Sequence, residues 1–449
     1  MSSALYAEDN PHDSKGLTLE LEITGQNDMF MLFPRHMEGH ILVHNTGEVA
    51  TLNCGKLGVP LRGAEMSDRD MLLMDAGTEI LFLDGKVSQI ESQGTLTSEW
   101  EGSGYTQMVD AQEKAIIPAF VDSHAHMVWA GDRSNEITLR SKGLDYSEIS
   151  NLGGGIRKTV SQTRRATRGE LSDLFVHRLR SAKALGTARI ECKSGYGLDV
   201  SNEIQALEVM GISHAPISID RTWLGAHDIP PGVSRREYLE ELVEEQLPLV
   251  CESKLAEYVD VFCEPGWFTK EETIQICEAS SDRGLKIRLH VDEFQDAGGL
   301  RLATDLGAVS ADHVAKSSMS DREYANENGT MQTFLPGTQY VLGNTLDLPL
   351  KECEENDIAF AMASDYNPNC PSLSMPFVGS LAVHRMGLNP LSALVSVTRN
   401  PGTTLSQDVE KHNGTLEIGR NCSILVLPSE NIESWVSSFG SMNNLRMIN

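Results

Sequence analysis

Two histidines stand close together directly after a short apolar segment, where their side chains could meet in one cavity. The stretch FVDSHAHMVWAGDR holds His124 and His126 one residue apart. Alternate residues of a β-strand point to the same side of the sheet, so both imidazoles can face one pocket. The pair alone fits a structural role as well as a metal-binding one, and the rest of the sequence must decide between them.

The same pattern, an apolar segment that ends in a polar residue, recurs further along the chain. His227, His290, His313 and Asp365 each end such a segment, and Glu293 follows His290. Five of the 13 histidines thus stand at segment ends. Imidazoles with a carboxylate suit Zn²⁺ or Fe²⁺, which lower the pKa of a bound water to about 7. The set predicts a metal-dependent hydrolase in which Glu293 and Asp365 move protons.

Eight apolar segments alternate with helical segments between residues 116 and 411. Their nearly continuous apolar character is typical of parallel strands that are buried on both faces. Eight repeats of strand and helix predict an α/β fold, a (β/α)₈ TIM barrel whose functional residues gather at the C-terminal ends of the strands. The segments are AIIPAFVDSHAH, GTARIECKSG, ISIDRTWLGAH, VDVFCEPG, LKIRLHVDE, GAVSADH, MQTFLPGTQY and IAFAMASDYN.

Two helices between these strands have clear sequence signals. SRREYLEELVEEQL carries an apolar stripe that includes Leu239 and Val243. Thr269 and Glu272 form a capping-box pattern at the start of the next helix, and Gly284 stands where that helix should end. Both signals support the alternation of strands and helices.

The two ends of the chain have a β texture. Short β-like runs separated by turn residues fill the region before about residue 115, and GTLEIGRNCSILVL follows residue 411. We expect residues 16–115 and 412–449 to form a small composite β-sandwich domain beside a barrel of residues 116–411. Residues 1–15 are polar and predict a disordered tail.

The composition restricts the partners and the compartment. A net charge of −27 argues against nucleic acid and anionic membranes, which require a basic surface. The sequence predicts neither a secretory signal nor an apolar run long enough to span a membrane. The eight cysteines include no Cys-x-x-Cys pair, which is typical of reduced thiols in the cytoplasm.

Several stretches in the predicted barrel resemble the imidazolonepropionase family of the amidohydrolase superfamily. They include FVDSHAHMVWAGDR, GGGIRKTVSQTRRAT, ECKSGYGLD, LGAHDIPP, VDVFCEPGWF, LHVDEF, GAVSADH and SDYNPN, in family order along most of residues 116–405. The resemblance implies hydrolytic ring opening of 4-imidazolone-5-propanoate to N-formimidoyl-L-glutamate, a step of histidine degradation.

The resemblance also implies one divalent metal per chain, Zn or Fe, held by His124, His126, His290 and Asp365. Some amidohydrolases bridge two metals with a modified lysine on strand four. Lys193 follows predicted strand two, so we expect a mononuclear site.

The family pattern assigns further roles, residue by residue. Glu293, His313 and Asp365 would be catalytic. An Arg fork matches a carboxylate with two hydrogen bonds, as the substrate's propionate requires. The chain departs from many bacterial members at Asn369 and Cys370, where they carry Gly and then Ser or Thr. The implied substrate-binding residues are Arg133, Tyr146, Tyr196, His227, Asn367 and Asn369.

Two alternatives remain open from the sequence. A related deaminase of a nucleobase-like ring would share the metal site, but a flat base does not need the cation of Arg133. A catalytically inactive relative that serves as an interaction protein would be expected to lack metal ligands, which are present here. We expect a small-molecule substrate and a homodimer, the commonest symmetric assembly.

Overall fold

The computed structural model describes residues 39–449 except 57, 104–105, 145–147, 150–151, 438, 440–444 and 449. The predicted tail of residues 1–15 and the predicted substrate residue Tyr146 lie outside the described residues. In the described part of the chain, no helix is both long and apolar enough to cross a bilayer. The eight cysteines are free thiols.

Eight parallel strands form the sheet that positions the polar strand ends. Each predicted apolar segment contains one of them, and neighbours in sequence are neighbours in the sheet. Ala125 and Tyr366 form a parallel bridge that joins the first strand to the chain after the last one. The predicted barrel is confirmed. Its strands are β6 (Phe120–Ala125), β7 (Thr187–Lys193), β8 (Ser218–Ala226), β9 (Tyr258–Cys263), β10 (Lys286–Val291), β11 (Ser310–His313), β12 (Met331–Phe334) and β13 (Phe360–Met362).

Helices follow the strands and cover the barrel. The predicted helix after β8 begins at Arg235, passes through a π-helical turn at Leu242–Gln246 and ends at Glu252. The capping box at Thr269 is confirmed, because Thr269 Oγ1 accepts from Glu272 N at 3.3 Å. The helices are Arg69–Leu72, Thr95–Trp100, Asn135–Ser141, Gly155–Thr163, Arg168–Ala184, Val200–Met210, Arg235–Glu241, Leu247–Glu252, Lys270–Ser281, Gly299–Asp305, Met319–Glu327, Pro336–Val341, Leu350–Glu355, Met375–Met386, Pro390–Ser396 and Arg399–Thr403, with 3₁₀ turns at Gly63–Ser67 and Ile432–Ser437.

Strands from both chain ends form a second, mixed sheet, as expected. Within the described residues it has seven strands, with β5 (Thr106–Pro118) paired parallel to β1 (His40–Ala50) and antiparallel to β14 (Ile424–Val426). The strand β5 continues past the predicted domain boundary at residue 115 and ends at Pro118. The position of that boundary stays a prediction. The strands are β1 (His40–Ala50), β2 (Leu73–Met74), β3 (Glu79–Leu83), β4 (Lys86–Glu91), β5 (Thr106–Pro118), β14 (Ile424–Val426) and β15 (Arg446–Ile448).

Candidate active site

Four imidazoles and one carboxylate meet at the C-terminal end of the barrel. The ligand atoms of His124, His290 and His313 lie within 4.8 Å of one another, as do those of His124, His126 and Asp365. All five side chains are buried. The strands β6, β10 and β11 and the segment after β13 therefore bring together the residues that the sequence predicted to lie close.

The cluster has the chemistry of a cation site. Asp365 Oδ1 lies 3.6 Å from Nε2 of both His124 and His126. His124 Nε2 and His126 Nδ1 are buried and make no hydrogen bond to any described residue. Buried polar atoms are rarely left without a partner, because the loss of hydration costs free energy. A divalent cation bound by these side chains would give His124 Nε2 a partner, so the residues present fit a metal.

Burial keeps the imidazoles in the form that a metal binds. Desolvation, followed by the nearby positive charge of Lys193 or of other histidines, holds the pKa of His124, His126 and His313 well below its usual range. A metal ligand must be the neutral imidazole with a free lone pair. These three rings therefore do not have to release a proton before a metal binds.

Two buried aspartates lie behind the first and third predicted ligands. Asp312 Oδ2 lies 2.7 Å from His124 Nδ1, and Asp260 Oδ2 lies 2.9 Å from His290 Nδ1. A carboxylate only accepts, so His124 Nδ1 carries the proton and its Nε2 keeps its lone pair, while the Asp260 carboxylate lies close beside His290 Nδ1. Carboxylates of this kind orient metal-binding imidazoles and make them more basic.

The backbone is strained at two of these positions. Asp365 has φ of 47° and His313 has φ of 72°, in the left-handed region that residues other than glycine rarely adopt. Asp365 N donates to His124 O at 3.0 Å, and Thr338 Oγ1 donates to Asp365 Oδ2. Strain of this kind persists where surrounding contacts hold the residue in place, and it concentrates at functional sites.

The cluster forms one side of a pocket whose other side is the predicted substrate-binding set. The lining residues from that prediction are Arg133, Tyr196, His227, Asn367 and Asn369, and the predicted catalytic residue Glu293 lines the pocket as well. Phe262, Ile156 and Leu342 add apolar surface. Of the predicted site residues that the structure describes, all but His124 line this pocket. His124 has no exposed surface, and its ring centroid lies 4.4 Å from that of His290.

Arg133 is held rigidly at the pocket by Glu136. Its Nε donates to both Glu136 carboxylate oxygens at 3.0 Å, and Nη2 donates to Oε2 at 2.8 Å. Glu136 Oε1 also accepts from Gly155 N at 3.0 Å. A Cβ on Gly154 would lie 2.9 Å from Glu136 Oε1 and 3.0 Å from Ile149 O. The glycine run after β6 therefore lets the chain approach this ion pair.

The loop after β7 presents Tyr196 beside His227. The buried Glu203 carboxylate accepts from the backbone N–H groups of Gly195, Gly197 and Leu198 at 2.7 to 3.2 Å. His227 Nδ1 donates to Gly195 O at 2.8 Å. Burial lowers the pKa of His227 to about 3. The ring is thus neutral, and its Nε2 is an acceptor.

The two asparagines after β13 differ in their contacts. Asn367 Oδ1 accepts from the backbone N–H groups of Asn369 and Cys370 at 2.7 and 3.1 Å, and its Nδ2 donates to Asp365 O at 2.8 Å. Its amide therefore braces the loop as well as lining the pocket. Asn369 Oδ1 accepts from Arg140 on the helix Asn135–Ser141.

Glu293 is a buried carboxyl group next to His313. Its Oε2 lies 3.6 Å from His313 Nδ1. Burial, and then the negative charges of Asp365 and Glu264, raise the pKa of Glu293 well above its usual range. A carboxyl group with a raised pKa can both accept and return a proton near neutral pH.

Five residues that support this site are not among those predicted from the sequence. They are Asp260, Asp312, Asp292, Glu203 and Thr338, all buried. The acids among them carry a sequence signal, since Asp260 and Asp312 stand inside apolar strand segments. A buried acid needs a partner, so such a residue predicts a polar contact. Which contact it makes depends on the fold.

Relatives with similar sequences share one description. The chain is 37% identical to an imidazolonepropionase of Symbiobacterium thermophilum over 394 residues, which cover 86% of this chain and 90% of that protein. It is 37% identical to an imidazolonepropionase of Haloarcula marismortui over 351 residues, 78% of this chain and 83% of the relative. No family model matches the chain.

Solved structures with the same fold are more distant in sequence. Ochratoxinase of A. niger aligns with a TM-score of 0.61 at 15% identity, over 91% of this chain and 93% of that one. Guanine deaminase of C. acetobutylicum, with guanine in its active site, aligns with a TM-score of 0.61 at 14% identity, over 90% and 97%. These similarities bear on the fold alone.

Proposed function

Because this chain belongs to the imidazolonepropionase family, we infer that it hydrolyses 4-imidazolone-5-propanoate to N-formimidoyl-L-glutamate. The observation that carries this inference is one pocket that holds both a cluster of neutral imidazoles and a buried guanidinium. The cluster suits hydrolysis, and Arg133 suits the propionate of this substrate. The reaction belongs to histidine degradation.

His124, His126, His290 and Asp365 would hold one divalent metal, Zn or Fe. Support comes from the two overlapping groups of ligand atoms and from the nitrogen atoms that lack partners. When bound there, the metal would supply Lewis acidity and favour the ionisation of water. Imidazole and carboxylate accept either metal, so the cell's supply decides which is bound.

The remaining residues of the pocket bind and orient the substrate. The Arg133 fork, fixed by Glu136, pairs with the propionate carboxylate. His227 Nε2 accepts from a ring N–H, and Tyr196 packs against the ring. Asn369 donates through Nδ2 at the pocket mouth. Asn367 acts mainly by bracing the loop on which Asn369 and Asp365 stand.

Hydrolysis of the ring requires one proton to move from the attacking water to the leaving nitrogen. The oxygen of a water adds to the ring carbonyl carbon, the adjacent C–N bond breaks, and the leaving nitrogen takes the proton that the water loses. Asp365 accepts that proton and delivers it, while Glu293 holds the ring nitrogen and the water in line. His313, kept neutral by burial, donates a hydrogen bond to the carbonyl oxygen as negative charge develops there.

The setting of the enzyme is part of the same proposal. The net charge of −27 disfavours nucleic acid and anionic membranes as partners. Free thiols fit a reducing cytoplasm. We place the enzyme there as a homodimer that acts on a small molecule.

The test compares two histidines of the same pocket. The wild-type protein, His290→Ala and His227→Asn are stripped of metal, reloaded with Zn²⁺ or Fe²⁺, and assayed for metal per chain and for loss of imidazolone absorbance. We expect one metal and metal-dependent turnover in the wild type. His290→Ala should lose both metal and turnover, whereas His227→Asn should keep the metal and lose turnover.

Three results would contradict the proposal. A wild-type protein with a full metal site but no turnover of imidazolone propionate would reject the substrate. Release of ammonia from a guanine-like or cytosine-like ring under the same conditions would instead favour the deaminase alternative. Turnover that is independent of metal would reject the role of the histidine cluster.

A further inference from the structure

A fully buried lysine lies beneath the histidine cluster without touching the pocket. Lys193, the last residue of β7, has no exposed surface. Its Nζ donates to Glu191 Oε1 at 3.0 Å and lies 2.8 Å from Asp260 Oδ2 and 3.6 Å from Asp312 Oδ2. A buried ammonium is costly unless it is paired, and here three carboxylates pair with it.

The carboxylates that face Lys193 are the ones behind the histidines. Asp260 Oδ2 lies between Lys193 Nζ and His290 Nδ1, which is 2.9 Å away. Asp312 Oδ2 lies in the same way between the ammonium and His124 Nδ1, at 2.7 Å. One aspartate thus separates the ammonium from each of two proposed metal ligands, His124 on β6 and His290 on β10. These two strands are not neighbours in the sheet.

We propose that Lys193 is a positioning residue of the metal site: its ammonium fixes Asp260 and Asp312, and through them the orientations of the His290 and His124 rings. Without the ammonium, two carboxylates would stand close together in a desolvated interior with less compensating charge. They would turn away from each other, and each imidazole would lose the acceptor that aims its Nε2 at the metal. This inference rests on the proposed metal site.

The charge state of the lysine agrees with this geometry. Burial alone would lower the pKa of Lys193, but the negative charges of Asp260, Glu191 and Asp312 raise it above its usual range. The side chain therefore stays an ammonium. Carboxylation, which turns some lysines into metal bridges, requires a neutral amine, so an ammonium paired with three carboxylates supports a mononuclear site.

The test measures metal affinity rather than turnover. Metal-free Lys193→Gln is titrated with Zn²⁺ against a chromophoric chelator, beside the wild type. Loss of residues that orient metal ligands typically weakens metal binding ~10–100-fold, and we expect a loss in this range. Lys193→Arg, which keeps the charge, should recover part of it. At saturating Zn²⁺ the Gln variant should have a lower kcat and a nearly unchanged KM.

A matched control separates positioning from general damage to the barrel. Lys411 also pairs with a buried aspartate, at 3.2 Å from Asp220 Oδ1, but Asp220 contacts Arg189 and no member of the cluster. Lys411→Gln should lower stability and leave the Zn²⁺ affinity within about twofold of the wild-type value.

A second variant protects the test against misfolding. Glu191→Gln combined with Lys193→Met keeps the formal charge of the interior while it removes the ammonium behind both aspartates. Weak Zn²⁺ binding in this double variant supports the proposal. Binding as tight as in the wild type, in either variant, overturns it, and so does a failure of both variants to fold, since Lys193 would then serve the fold. A wild-type protein that binds no metal would instead reject the proposed function.

Discussion

At the scale of single residues, two neighbouring asparagines have separate tasks. Asn367 uses its amide to hold the backbone of Asn369, Cys370 and Asp365. Asn369 lines the pocket. A side chain at this position can donate to the substrate, which a glycine cannot. In the proposed complex with the substrate, the Asn369 amide would thus add a contact that a glycine at this position would lack.

We expect Asn369→Ala to raise KM about tenfold, the value of about one hydrogen bond, with little change in kcat. Asn367→Ala should mainly lower kcat, because Asp365 loses the contact that fixes its backbone. Steady-state kinetics with imidazolone propionate check both. Equal effects of the two substitutions on KM would show that the asparagines share one task.

Arg133 offers a test of substrate recognition. Arg133→Lys keeps the charge but loses the fork and most of the contact with Glu136, so kcat/KM should fall ~10–100-fold, chiefly through KM. An analogue that lacks the propionate carboxylate supplies the control, because wild type and variant should turn it over equally slowly. If the substitution weakens turnover of the analogue as strongly, Arg133 serves the pocket structure instead.

At the scale of elements, the loops after the strands are held by single buried acids. Asp292, which follows β10, accepts from the N–H groups of Ala297, Gly299 and Leu300 and from Ser317 Oγ, at 2.6 to 3.1 Å. It thereby ties the start of the helix Gly299–Asp305 to the strand that carries His290. Glu203 does the same for the loop after β7.

Asp292→Asn should destabilise the protein by ~2 kcal/mol, because an amide replaces a charged acceptor and turns one of its oxygens into a donor that faces other donors. Asp296→Asn is the control, since the exposed Asp296 side chain accepts from Gly298 N at 3.0 Å and, among the described residues, from no other donor; it should cost under about 0.5 kcal/mol. Urea unfolding of both variants measures the difference. Similar midpoints would show that the Asp292 contacts contribute little net stability.

The elements were more predictable than their contacts. The eight strands follow from near-continuous apolar segments, and the cluster follows from the rule that functional residues stand at the C-terminal ends of barrel strands. The pairing of Asp312 with His124 depends on the register of the strands and on closure of the barrel. The local pattern of apolar and polar residues encodes neither. The bracing role of Asn367 is likewise a matter of loop geometry, which the sequence alone leaves open.

At the scale of the whole molecule, one histidine connects the barrel to the mixed sheet. His412 Nε2 donates to Ala119 O at 2.8 Å, between β5 and β6, and its Nδ1 accepts from Ser423 N at 3.4 Å, next to β14. Only the neutral ring makes both contacts. A proton on His412 Nδ1 would place its N–H against the backbone N–H of Ser423.

The pH dependence of stability should reflect this contact. Burial lowers the pKa of His412 from 6.5 to about 4. The unfolded chain therefore binds the proton first, so this histidine lowers stability as pH falls from 6.5 to 4 and adds no further change below. The loss approaches ~3 kcal/mol. The difference in unfolding free energy between wild type and His412→Gln, followed with pH, should show this slope; a flat difference would reject it.

The bridge that closes the barrel, between Ala125 and Tyr366, affects when the barrel can close during folding. His124 and His126 stand at one end of the barrel sequence and Asp365 at the other, and the bridge between Ala125 and Tyr366 brings them together. Contacts between such distant parts of a chain close late, because they carry a large entropy cost. During synthesis, His124 and His126 leave the ribosome long before Asp365 is added to the chain. The complete set of proposed ligands therefore forms only when the ring of strands closes, so a metal that binds there would be loaded after synthesis of the barrel and would not guide it.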